Sequence, residues 1–88
     1  MRLAVSRSFA CTFPDFAATR VELEAPDSRQ AAIRAVGWWE EDINDFRVLR
    51  GEETLRVHIQ ANGIVSLWDV LGVQERYVAK AGERSSRP

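Results

Sequence analysis

The chain has 88 residues, 45% hydrophobic and 28% charged, with a formal net charge of −1 at pH 7: one domain of ordinary soluble composition, without the basic excess of a general nucleic-acid binder. A single cysteine excludes an internal disulfide and makes a reducing cytoplasm the simplest compartment. No apolar run approaches the roughly 20 residues that span a bilayer, and Ser6, Arg7 and Ser8 interrupt any signal-peptide core.

Leu3, Val5, Phe9, Cys11 and Phe13 occupy odd positions, while Ala4, Ser6, Ser8, Ala10 and Thr12 fill the even ones. This is the period-two pattern of a strand with one face on a core. Pro14-Asp15 ends it in a turn. Thr19, Val21, Leu23 and Ala25 alternate with Arg20, Glu22 and Glu24, predicting a second strand antiparallel to the first.

The segment 26–45 predicts the helix on which the strands pack. Pro26 keeps Ala25 extended, and Asp27 is an N-cap answered by Gln30 three residues on. Ala32, Val36, Trp39, Ile43 and Phe46 then draw one apolar stripe at helical spacing. Gly37 costs about 1 kcal/mol against alanine in a helix interior. Because the stripe holds on both sides of it, the helix is expected to continue to about Asp42.

Residues 46–50 read as a short strand and Gly51-Glu52-Glu53 as a polar turn. Leu55, Val57 and Ile59 alternate with Arg56, His58 and Gln60, an amphipathic strand that Asn62-Gly63 closes with a type I′ hairpin turn. Residues 64–71 are apolar on both faces apart from Ser66 and Asp69, as in a central strand or one whose outer face meets a partner. Gly72 is expected to break that strand. Residues 73–79 follow as another, with Val73, Glu75 and Tyr77 on one side. Residues 82–88 read as a disordered tail, leaving 1–81 as a single α+β domain. The expected fold is an antiparallel sheet of about five strands, β-β-α-β-β-β, with one helix packed across one face.

The residues that carry chemistry are few. His58 is the only histidine and lies on the polar side of its strand, whereas Cys11 lies on the apolar side of another. A nucleophile–base pair would have to meet through the sheet. One His and one Cys do not make a zinc set, and five glycines scattered singly do not make a phosphate loop. The expectation is a non-enzymatic chain without metal or cofactor.

Carboxylates are the unusual feature. Glu40, Glu41, Asp42, Asp45, Glu52 and Glu53 place six of the thirteen acids within fourteen residues. Acids at a helix C-terminus face the negative end of the macrodipole, and a local rule broken without a visible gain points to function. The functional reading is an acidic patch for a basic partner surface of the kind that normally binds nucleic acid. The alternative is a solvated helix end partly neutralised by Arg47 and Arg50. Trp38, one residue around from the stripe, should stand at its edge or in solvent, as binding hot spots do. Trp68 shares a strand face with Ile64, Ser66 and Val70. The candidate partner-binding set is Trp38, Glu40, Glu41, Asp42 and Asp45.

The segment Phe13-Pro14-Asp15-Phe16 before a strand, followed by the helix start at Ser28, resembles the HicB-like antitoxins, whose small β-β-α-β domain has a Phe-Pro-Asp segment ahead of its helix. The resemblance covers those four residues and the order of elements, without the glycine-containing segment that usually follows. It implies an antitoxin-like or regulatory subunit that homodimerises through an edge strand or through the two-sided strand 64–71. In size and architecture the chain is also similar to the inhibitors that phages encode against host defences, anti-CRISPR proteins among them. The expected function is therefore a small protein-binding module that acts by occupying a partner surface, as a phage or mobile-element inhibitor. Direct nucleic-acid or membrane binding is not expected.

Overall fold

The period-two segments become strands of a single antiparallel sheet. The computed structural model describes residues 7–82 and orders the strands β2-β1-β3-β4-β5. They are β1 (Arg7–Phe13), β2 (Phe16–Ala25), β3 (Leu55–Ala61), β4 (Ile64–Val73) and β5 (Arg76–Ala81), and one helix, α1 (Ser28–Ile43), joins β2 to β3. The fold is α+β, as expected. The predicted first-strand start at Leu3 and residues 83–88 of the predicted disordered tail lie outside the described residues; Gly82, the first residue of that tail, is instead tied to the sheet, its N–H donating to the Leu67 carbonyl at 2.8 Å.

Strand parity decides what is buried. Phe9, Cys11 and Phe13 of β1 and Leu55, Val57 and Ile59 of β3 all face the helix and are buried. Register carries that face across the sheet: Cys11 lies opposite Val21 and Ile59, Val57 opposite Trp68, and Val70 opposite Ala79. Ala31, Ala32, Ala35 and Val36 of α1 close over it. Small helix residues let the helix lie close, and each fully buried Phe, Ile, Leu or Val contributes about 1.5–3 kcal/mol. The other face carries Ala10, Thr12, His58, Leu67, Asp69 and Leu71. Among the described residues no element packs over it.

The helix begins and ends by local chemistry. The Asp27 carboxylate accepts the Gln30 N–H at 2.8 Å. Asn44 takes φ 57°, and the N–H groups of Asn44 and Asp45 donate to the Glu41 and Glu40 carbonyls at 3.3 and 3.1 Å. That pair of bonds around a left-handed residue is a Schellman stop. The helix runs through Gly37, where an added Cβ would stand 3.6 Å from the Tyr77 ring, an ordinary contact. Gly37→Ala should therefore add about 0.5–1 kcal/mol of stability, seen as a higher urea midpoint at unchanged slope.

Three expectations are corrected. Residues 46–50 form one helical turn and no strand: Arg50 N–H donates to the Phe46 carbonyl at 3.0 Å. Gly51, at φ 81°, stops the turn through bonds from Gly51 N–H to Val48 at 2.9 Å and from Glu52 N–H to Arg47 at 2.8 Å. A short apolar run does not distinguish the two conformations. Second, Gly72 continues β4, and the chain reverses at Gln74-Glu75. Both residues have positive φ, 54° and 61°, between the paired Val73 and Arg76. Tyr77 thus shares the helix-facing side with Gly72, and Val73 faces the other way. The Asn62-Gly63 turn has the expected positive φ at both residues.

Third, the helix stripe is rotated. Its buried line is Ala32, Val36 and Glu40, beside Ala31 and Ala35. Trp39 is half-buried and Ile43 is 44% exposed. The last helical turn overhangs the sheet, so the folded-back turn at 46–50 decides which side is covered.

Candidate functional site

Glu40 continues the line of Ala32 and Val36 toward the core and is 2% exposed. One carboxylate oxygen accepts the Val48 N–H at 2.7 Å; the other accepts the Leu49 N–H at 3.2 Å and the Tyr77 hydroxyl at 2.8 Å. The turn at 46–50 folds back over the core and brings two backbone N–H groups away from water, where they require acceptors. Glu40 supplies them. It is a structural residue and presents no charge to a partner, which removes it from the expected acidic surface.

The same turn rests on β4. Val48 is buried, and a Cβ on Gly72 would overlap the Val48 and Leu49 carbonyl oxygens and stand 2.6 Å from the Leu49 carbonyl carbon. Tyr77, directly across the ladder from Gly72, brings its hydroxyl to Glu40. One helix residue, one turn and two strands thus share a single polar knot.

Burial raises the Tyr77 phenol pKa, and the hydrogen bond to Glu40 and the charges of Glu40 and Glu41 add to the rise. Burial alone raises the Cys11 thiol from 9.0 to about 11. Both groups are neutral when protonated, so their contribution to stability is whole below the unfolded pKa values and is lost as pH rises through the folded ones. For Cys11 that window is 9.0 to about 11, and forcing the thiolate costs on the order of 2–3 kcal/mol. Urea midpoints should fall between about pH 8 and pH 11, and fall less in Cys11→Ala.

The remaining acids divide. Glu41 and Asp42 are exposed, three and four residues beyond Trp38, which is 41% exposed, and so lie on its side of the helix. Asp45 is held by Arg47 at 3.2 Å and Arg50 at 3.8 Å, and Glu52 by Arg50 at 2.8 Å. The Arg50 hydrogen bond holds the Glu52 carboxyl below its ordinary pKa. Two members of the cluster are therefore neutralised by arginines, as the solvated-end reading expects, and a Trp38–Glu41–Asp42 ridge remains.

Beside that ridge, where the helix overhangs the β1–β2 turn, lies a cleft of about 270 Å³. Its apolar lining includes Phe16, Trp39, Ile43 and Leu55; Asp15, Asp45, Glu53 and Arg47 stand around it. Phe16 is 43% exposed, and its ring centroid lies 4.9 Å from that of Trp39. Asp15, Phe16 and Glu53 were not among the residues singled out for partner binding. The hairpin signal at Pro14-Asp15 placed a turn there, and only the tertiary fold brings that turn to the helix end.

Trp68 belongs to the other end of the helix. Its indole N–H donates to Ser66 at 3.1 Å, and the Arg29 guanidinium lies 5.4 Å from its ring centre. On the open face, Arg56 grips Asp69 through two bonds of 2.8 and 3.1 Å and holds that carboxyl below its ordinary pKa. His58 stands on this open face and Cys11 on the helix-covered one, so the sheet separates them. Among the described residues no three His, Cys, Asp or Glu side chains gather as a metal set, and no helix is long and apolar enough to cross a membrane. The chain matches no protein-family model, and no curated protein or solved structure matches it.

Proposed function

We propose that this chain is a small, non-enzymatic protein-binding module that acts by occupying a partner's surface. The observation that carries the reading is the end of α1. There Trp38, Phe16 and Ile43 stay exposed, beside the carboxylates of Glu41 and Asp42, which make no ion pair among the described residues. Exposed aromatic residues flanked by charge are the composition of interface hot spots and their rims. The separation of Cys11 from His58 supports the non-enzymatic part. The partner presents a basic surface, with Trp38, Glu41 and Asp42 as the principal contacts and Asp45 at the margin. A cytoplasmic inhibitor carried by a phage or other mobile element is the setting that a small lone architecture suits, by analogy only.

The test is capture from host lysate by the immobilised protein, comparing wild type with Trp38→Ala and with the double reversal Glu41→Lys/Asp42→Lys. Both variants should keep the melting temperature. Trp38→Ala should lose at least about 1 kcal/mol of binding to the captured protein. The reversal should slow association, most at low salt. Identical capture and association by all three proteins overturns the reading.

One observation favours a second reading, a homodimer. The open sheet face presents Leu67, Leu71 and Val78 with Val65 and Val73, the last two 45% and 47% exposed. β4 is paired on both sides, by β3 and β5, so this reading uses the face and not the edge of that strand. A native mass twice that of the chain, reduced to one chain by Leu71→Arg, would select it.

A further inference from the structure

We infer that the cleft between the β1–β2 turn and the end of α1 receives an arginine side chain from the partner, an inference that rests on the binding-module reading above. The site is long and two-toned. Phe16, Trp39, Ile43 and Leu55 provide apolar walls, and four carboxylates against one guanidinium line the space. Those carboxylates are not equivalent. Glu40 spends both oxygens on Val48, Leu49 and Tyr77, and Asp45 is engaged by Arg47. Asp15 and Glu53 are exposed and make no ion pair among the described residues. The one cation lining the cleft, Arg47, is already bound to Asp45, so the charge left over is negative.

The guest that matches both halves has an apolar stem and a cationic head. Lysine and arginine both bury their stems against apolar surface while keeping the head in a polar environment. Arginine fits better on two counts. Its planar guanidinium lies flat against aromatic rings of the kind that Phe16 and Trp39 present, and its fork of donors can serve carboxylates on two sides at once. A cleft of about 270 Å³ has room for one long side chain and stands at the lower end of the size of small-molecule pockets.

The test is a titration of the whole, isotopically labelled protein with the blocked tripeptide Gly-Arg-Gly and with its citrulline and lysine counterparts, following the Trp39 indole N–H by NMR. The Arg peptide should shift the Trp39 signal saturably, with a dissociation constant of order millimolar, and leave the Trp68 signal in place. The citrulline peptide, isosteric but uncharged, should bind about tenfold more weakly, and lysine should fall between. Asp15→Asn/Glu53→Gln should weaken the Arg peptide by about fivefold without lowering the melting temperature. Equal binding of arginine and citrulline, an unchanged affinity in the double variant, or no saturable shift of Trp39 overturns the inference. The two proposals fail separately. If the Arg peptide does not bind while lysate capture still depends on Trp38, the module reading stands and the cleft is not its anchor. If the peptide binds and capture is identical in every variant, the cleft stands and the module reading falls.

Discussion

Glu40→Ala is expected to lower the unfolding free energy by about 3–5 kcal/mol, because it strands one buried and two part-buried donors and each unmade buried one costs about 1–3 kcal/mol. The donors are the Val48 and Leu49 N–H groups and the Tyr77 hydroxyl. A chain of this length has a total stability of roughly 4–13 kcal/mol, so the variant should be largely unfolded or have a melting temperature tens of degrees lower. Glu40→Gln keeps one acceptor oxygen but turns an NH2 toward donors, and should fall between the alanine variant and wild type. Tyr77→Phe removes one bond and leaves the turn capped, at about 1 kcal/mol. The order Ala, Gln, Phe from worst to mildest, read from urea midpoints, distinguishes a buried cap from a surface acid. If Glu40→Ala stays within about 0.5 kcal/mol of wild type, as surface substitutions do, Glu40 is not the cap.

The second large effect is expected at Gly72. Alanine there places a methyl group into the Val48 and Leu49 carbonyls. The clash is backbone against backbone, so no flexible side chain can swing aside, and the cost should reach or exceed the usual 1–3 kcal/mol of overpacking. Either the 46–50 turn lifts off, undoing the Glu40 cap with it, or β4 bends away from β3. The first outcome predicts rapid exchange of the Val48 and Leu49 amides with the sheet amides still protected; the second predicts the reverse. Gly63→Ala serves as a comparison, since a Cβ there meets nothing within 4 Å and should cost only the strain of a positive φ, about 1–2 kcal/mol. Equal losses at Gly72 and Gly63 would mean that the close approach at Gly72 contributes nothing beyond backbone strain.

These two residues also mark where the sequence was legible and where it was not. Strand parity in β1, β2 and β3, the Asp27 cap, the Asn62-Gly63 turn and the continuation through Gly37 all rest on signals within a few residues of one another, and all hold. Glu40 depends on a turn eight residues away and a tyrosine thirty-seven residues away, so local periodicity assigned it to solvent. A signal was present: the line Ala32, Val36, Glu40 is apolar, apolar, acid, and an acid continuing a buried line implies a buried partner. Gln74-Glu75 gave no comparable warning, because neither is a residue that left-handed turns select. For the site, Trp38, Glu41 and Asp42 were legible as an exposed ridge, while Asp15, Phe16 and Glu53 reach the helix end only through the path of the chain.

The sheet is not equally strong along its width. Among the described residues, β1 and β2 share seven paired positions and β3 and β4 another seven, but β1 meets β3 over three, Ala10 to Thr12 against His58 to Gln60. On one side of this seam lies a hairpin from residues 7–25; on the other, a three-stranded meander from 55–81. Each side is contiguous in sequence, so its loops close early and at little entropic cost, whereas the seam joins residues nearly fifty positions apart. Folding is accordingly expected to finish at the seam, with α1 as the clasp that crosses it and touches every strand. At high concentration the same arrangement offers a route to exchange: a hairpin from one chain can dock on the meander of another, with the helix as the connecting arm.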